Sequence, residues 1–328
     1  MQYHPFGNTG ESLSRIGLGC YGMSGAYGAA DEDEAIATIH LAMDLGVNVL
    51  DTSASYGQGH NHRLIGRAVR DRRHKVFIHS KTGTIRTPDG RSAAEGSGTP
   101  ERLREMCETS LQNLGVEALD AFCLSRVDPT VPVEESVGGM ARLVEEGKTR
   151  FIGLSEAAPG TVRRAAAVHP LCSLQFEYSL WSRDPEGGHI AVARKLGMAF
   201  IAYAPLGYGM LAGGLATAAA VAGDSRAKFP RLQGDNFERN RVLVEGLIEI
   251  AATLRATPAQ LAIAWVLSAN PDVFAIPGCK SRRHLEENLA AAEIALDDEV
   301  LKKLDRLFPA GAAAGDRYPP DGMRRVNL

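Results

Sequence analysis

Cysteine is sparse in this chain and badly spaced for staples or metal. Its five cysteines, at 20, 107, 123, 172 and 279, form no C-x-x-C pair and no zinc spacing. That argues against a disulfide framework or a zinc-built fold, and Cys20, Cys123 and Cys172 fall in apolar runs that read as buried, reduced strands. Charge of one sign is missing too: 36 Lys+Arg against 39 Asp+Glu leave a formal net charge of −3. Nothing electrostatic calls for nucleic acid or an anionic membrane as partner. No stretch approaches the ~18 uninterrupted apolar residues of a membrane span, and MQYHPFGNTG lacks the basic-then-apolar pattern of a signal peptide. The expectation is a soluble, cytoplasmic protein, with the monomer as default.

What is present is an ordinary globular composition, 45% hydrophobic and 23% charged over 328 residues, enough for one large barrel or two domains. After a hairpin expected around Thr9–Gly10, short apolar runs recur: RIGLG (15–19), VNVLDTS (47–53), KVFIHSK (75–81), DAFCLS (120–125), RFIGLSE (150–156), CSLQFEY (172–178), MAFIAYAPL (198–206) and VFAIPG (273–278). Amphipathic segments with helix start and stop signals lie between them. DEDEAIATIHLAMDLG opens on acids and closes on Gly46, while TPERLREMCETSLQNLG has Thr99 to cap, Pro100 at the first turn and Gly115 to stop. PVEESVGGMARLVEEG and TPAQLAIAWVLSAN repeat the pattern. Strand–helix alternation implies a parallel sheet. Eight units without a linker imply one α/β domain over 1–328, a (β/α)8 barrel with an N-terminal β-hairpin.

A doubly wound sheet is the competing fold, because GLGCYG (17–22) matches G-x-G-x-x-G. That fingerprint needs its third glycine to enter a helix directly, and MSGAYGAA intervenes. The stretch 83–100 and the Ala/Gly-rich span 213–234 read as long loops, a rim and a lid, and the tail after the last helix reads as irregular.

In such a barrel the chemistry gathers where strands end. Those ends offer Asp51, Tyr56, Lys81, Ser125, Ser155, Glu156, Gln175, Glu177 and Tyr203. A tyrosine hydroxyl, ordinarily near 10, is a poor acid at neutral pH; a nearby lysine lowers it, and a carboxylate holds that lysine in place. Such a group protonates a carbonyl oxygen while hydride comes from a nicotinamide, since no side chain supplies hydride.

LDTSASYG (50–57), IHSK, CLSRVDP, GLSE, QFEYSLW, AYAPLGYGML and AIPGCK…LEENL together resemble the successive signatures of the aldo-keto reductase superfamily, from about residue 3 to residue 305. The resemblance is closest to the bacterial and plant type whose fourth strand ends in H-R-V-D-P. It implies a (β/α)8 barrel that uses NADP(H), without metal, to reduce aldehydes or ketones or to run the reverse oxidation. It places Asp51, Tyr56 and Lys81 in the catalytic tetrad and Ser155 and Gln175 on the nicotinamide amide, with Glu156 as a further carboxamide contact. Tyr203 would stack on the ring, and Leu206 and Gly207 would pass the pyrophosphate. Gly278, Lys280, His284, Glu287 and Asn288 would embrace the adenosine end. The K-S-R-R run suits a 2′-phosphate, hence NADPH.

One member is missing: Ser125 stands where the family has its catalytic histidine. A serine donates one hydrogen bond but exchanges no proton near pH 7, and it leaves room. Three readings compete: a reductase with Tyr56–Lys81 as acid and Ser125 or a water on the carbonyl; a reductase for a specialised substrate such as a sugar or natural-product intermediate; or an NADP(H)-binding sensor or partner subunit with little catalysis. His60 or His62, close to Tyr56 in sequence, offers a substitute imidazole; the alternative is two exposed loop or helix-start histidines. Arg126 is either structural or a pocket-wall cation, and Asp128 is expected to cap the turn before Pro129.

Overall fold

The computed structural model describes residues 1–83, 85–86, 92–93 and 95–328, and the 83–100 loop read from the sequence lies partly outside them. Strands β1 (Tyr3–Pro5) and β2 (Ser12–Ser14) form the N-terminal hairpin. The main sheet contains β3 (Leu18–Gly19), β4 (Val49–Asp51) and β5 (Phe77–Lys81). A small hairpin, β6 (Ile85–Arg86) and β7 (Ser92–Ala93), interrupts the series. It continues with β8 (Leu119–Leu124), β9 (Thr149–Ser155), β10 (Ser173–Glu177), β11 (Ala199–Tyr203) and β12 (Val273–Ile276). These eight strands are parallel and lie in chain order. Bridges from Ile16 to Ala275 and from Gly19 to Gly278 join the first to the last, closing a (β/α)8 barrel.

Local chemistry explains the elements between them. Thr99 accepts the Arg102 N–H to open helix Pro100–Leu114, and Gly115, at φ 66°, ends it. Thr257 and Gln260 form a reciprocal capping box on helix Pro258–Ser268. The glycines of GLGCYG serve closure. A Cβ on Gly19 would sit 2.7 Å from the Ile276 carbonyl oxygen, and the motif runs into a 3-10 turn, Tyr21–Ser24, instead of a helix. The dinucleotide-turn alternative and its doubly wound sheet therefore fall.

Each strand is buried on both faces, which is why runs such as AFCL lack polar alternation. Outward residues such as Ile78, Phe122, Ile152 and Phe200 pack under the helices. Inward residues Phe77, Ala121, Phe151, Ala199 and Phe274 fill the lower barrel, which Phe6 and Leu13 of the hairpin plug. Above this plug the interior turns polar. The 213–234 stretch winds through three short 3-10 turns that bury Val221, Phe229 and Leu232. The tail is irregular apart from a short helix, Pro320–Met323, yet it is tied down: the Asn327 N–H donates to the Glu156 carbonyl and the Ala158 N–H to that of Leu328. No single described helix is long and apolar enough to cross a membrane.

Candidate active site

Strand register brings the polar strand ends to one rim. Asp51 lies opposite His79, Lys81 opposite Cys123, and Gln175 opposite Ser155, so these side chains share inward parity. The Lys81 ammonium donates to Asp51 Oδ1 at 2.5 Å. Asp51 Oδ2 receives His79 Nδ1 at 3.0 Å and the Gln175 amide at 2.7 Å. Burial opposes a charged carboxylate here, but the Lys81 charge and the His79 bond outweigh it and hold the Asp51 pKa below its usual value.

His79 went unnoticed in the sequence. Its Nε2 meets Ser173 Oγ at 3.0 Å and Cys123 Sγ at 3.1 Å. Burial would lower its pKa, but the contacts with Cys123 and Asp51 raise it to about 9. Gly153 makes room for this cluster, since a Cβ there would lie 2.5 Å from Ser173 Oγ and 2.7 Å from Cys123 Sγ.

Tyr56 opens a tight turn in which Gly57 and Gln58 take left-handed conformations (φ 56° and 53°). Lys81 Nζ stands 5.4 Å from the centroid of its ring. Burial, reinforced by the Asp51 charge, raises the Tyr56 pKa well above 10. This corrects the expectation of a lowered value: burial and the Asp51 charge dominate, and the phenol is held protonated. Ser125 lines the same opening, its N–H bonded to Thr82 Oγ1 at 2.9 Å.

A cleft of about 1920 Å³ runs from these residues past Ser155, Gln175, Tyr203 and Leu206 to Gly278, Lys280, His284, Glu287 and Asn288. It exceeds the roughly 300–1,000 Å³ of a site for one small molecule. Two expected contacts do not line it. Gly207, at φ 53°, lets the chain pass Trp181, whose ring a Cβ would approach to 2.5 Å. Glu156 is fully buried, with Oε1 taken by the Arg317 guanidinium at 3.0 Å, the Tyr203 hydroxyl at 2.8 Å and the Glu177 N–H at 3.0 Å, and Oε2 by Arg317 at 2.9 Å. Arg317, from the tail, was missed, as was Tyr318, whose hydroxyl meets those of Tyr203 at 2.8 Å and Tyr208 at 3.1 Å.

The substitute-imidazole alternative fails, and so does the reading of His62 as an exposed histidine. His62 is wholly buried behind the barrel wall, with Nε2 on the outward-facing Ser80 Oγ at 3.0 Å. Burial, then the Lys81 charge, lowers its pKa to about 4. His60 bonds Ser24 and Glu32 outside the cleft. Asp128 caps its turn as expected, accepting the Gly98 and Thr130 N–H groups.

Residues 15–308 match the profile of the aldo/keto reductase family. A probable aldo-keto reductase 1 from Glycine max is 39% identical over 314 residues, covering 95% of this chain and 90% of its own length. The structure of a glycerol dehydrogenase from Gluconobacter oxydans superposes with a TM-score of 0.81 at 26% identity, covering 94% of this chain and 95% of that one. An aldo/keto reductase from Klebsiella pneumoniae, solved in complex with NADP and acetate, gives 0.72 at 27% identity, covering 95% and 97%.

Proposed function

Since the chain belongs to the aldo/keto reductase family, it is an NADP(H)-dependent oxidoreductase of small-molecule carbonyl compounds, and we propose that Tyr56 delivers the proton. The observation that carries this is a part-buried, protonated phenol beside an Asp51–Lys81 pair in the lining of a long cleft. The residues present fit the cofactor. Gln175 spends only its amide nitrogen on Asp51, leaving its oxygen to the cleft, and Ser155 lies opposite it in register. Tyr203 presents a ring, and Lys280, whose ammonium donates to the Tyr27 and Ala29 carbonyls, and Arg283 line the same cleft as cations that would meet the cofactor's phosphates. When bound there, the nicotinamide supplies hydride.

Tyr56 gives its proton to the carbonyl oxygen as that oxygen gains charge. Lys81 then faces the phenolate, and Asp51, pinned by His79 and Gln175, keeps the ammonium in place. Ser125 leaves space beside Tyr56 in which it or a water meets the carbonyl, which fits a bulkier substrate than a simple aldehyde. We place the enzyme in the cytoplasm, a setting its five buried free thiols suit.

Tyr56→Phe should lower kcat for NADPH oxidation by about 10²–10⁴-fold while NADPH binding, followed by fluorescence, persists. Turnover indifferent to Tyr56→Phe sinks the assignment. Tight NADPH binding by the native chain without turnover of any carbonyl compound favours the sensor reading, which the loss of the imidazole at 125 motivates.

A further inference from the structure

We propose that Arg126 is the receptor for a carboxylate on the substrate, so that the compound reduced here is a 2-oxo acid or a close analogue with a carboxylate beside its carbonyl. This rests on the reductase reading above. Arg126 follows Ser125 directly and lines the cleft with it, Tyr56 and Tyr318. One of its five N–H donors reaches the Ser125 carbonyl at 2.7 Å. No described carboxylate lies within ion-pair distance of it.

Three of the other cleft arginines are paired with acids. Arg226 is paired with Asp224 at 2.7 Å, Arg102 with Glu105 and Arg324 with Asp321. Glu156, whose charge reaches Arg126 from beyond ion-pair distance, is forked by Arg317, and Glu177 accepts from Tyr208 and Ser182. Arg325 adds to the field; burial, and after it the Arg126 charge, lowers its pKa. A part-buried guanidinium in a cleft favours an anion as partner, and its planar fork suits a carboxylate.

The cofactor's phosphates have other cations in the cleft to meet them, Lys280 and Arg283. Ser125 completes the fit. A smaller side chain where the family carries an imidazole opens the space between Tyr56 and Arg126 in which a carbonyl and its neighbouring carboxylate lie side by side. The reaction then balances as R–CO–CO2⁻ plus NADPH plus H⁺ giving R–CHOH–CO2⁻ plus NADP⁺. A C–H bond forms at the carbonyl carbon, the C–O π bond opens, and the oxygen takes the Tyr56 proton, which solvent restores. The carboxylate itself is unchanged.

The test compares phenylglyoxylate with its neutral methyl ester by NADPH oxidation, in the native enzyme, Arg126→Met and Arg126→Lys. The native enzyme should favour the acid in kcat/KM, and Arg126→Met should lower the acid-to-ester ratio on the order of 100-fold, mainly through KM. Arg126→Lys, which keeps the charge but loses the fork, should recover part of it. Calorimetric titration of the enzyme with benzoate and benzamide gives a readout free of turnover: benzoate should bind, benzamide should not, and Arg126→Met should abolish the difference. An ester preferred over the acid, an unchanged ratio in Arg126→Met, or benzoate binding that ignores Arg126 each overturns the proposal. If no carbonyl compound is reduced, the reductase reading fails, and the benzoate arm still decides the role of Arg126. Should Arg126→Met not fold, native acid-to-ester selectivity together with Arg126→Lys decides it.

Discussion

Two buried ion pairs stand at the rim of this barrel, and they are built differently. Asp51 and Lys81 come from adjoining strands, β4 and β5, and meet through a single contact at 2.5 Å. Glu156 and Arg317 come from positions 161 residues apart and meet through two, at 3.0 and 2.9 Å. An ammonium is a compact charge on a flexible stem and can serve a second group, here the Tyr56 ring 5.4 Å away. A guanidinium forked on a carboxylate has its geometry settled by that partner. The first pair is the one proposed above to support chemistry; the second fastens the tail across the rim and so sets where Tyr318 stands. A buried salt bridge therefore does not by itself mark catalysis. What it leaves unspent does.

Removing one partner from each pair separates these roles. Arg317→Leu leaves Glu156 charged and without its paired guanidinium in the interior, which should cost about 3–5 kcal/mol in chemical denaturation. The double variant Arg317→Leu/Glu156→Leu should return much of that loss; if the single variant is nearly neutral, the fastening role is wrong. Lys81→Met should act mainly on turnover, reducing kcat on the order of 10²–10³-fold, while Asp51 keeps His79 and Gln175 as donors. A loss of stability as large as that of Arg317→Leu, with little change in kcat, would make the two pairs alike.

Acid sharpens the comparison further. The Glu156 pKa is lowered: burial works against the charge, and Arg317 and Arg126 overcome it. Its stabilising contribution is therefore present above the unfolded glutamate value near 4.3 and is lost as pH falls through the depressed folded value. Native protein should show an acid-unfolding limb below about pH 4.3 that Arg317→Leu blunts. A smaller effect comes earlier in an acid titration. His62 is neutral in the fold, with a pKa of about 4, so the unfolded chain binds its proton first. Stability should fall between roughly pH 6.5 and 4, by up to about 3 kcal/mol, and His62→Leu should flatten that window in pH-dependent denaturation. A near-neutral limb in kcat removed by His62→Leu would contradict its place behind the wall.

Much of this was legible along the chain. Asp51, Lys81, Ser125, Gln175 and Tyr203 were found because an apolar run buried on both faces stops where the barrel opens. Other residues show where that reading fails. His62 is six positions from Tyr56, yet helix phase turns it onto the outer wall at Ser80. Glu156 follows a strand end but turns away, at φ 55°, to meet an arginine from the tail. His79 sat inside an apolar run, two positions before Lys81, where inward parity was the only signal that pointed to Asp51.

The sequence by itself determined the alternation of strand and helix, the barrel that follows from it and the strand ends that carry Asp51 and Lys81, because those depend on residues near one another in the chain. Only the tertiary structure decided which charges are spent and which are left over. Pairing among Asp51, Glu156, Arg126 and Arg317 is a competition between side chains brought together by closure of the sheet and the return of the tail. Its outcome depends on distances of a few ångströms that no local pattern encodes.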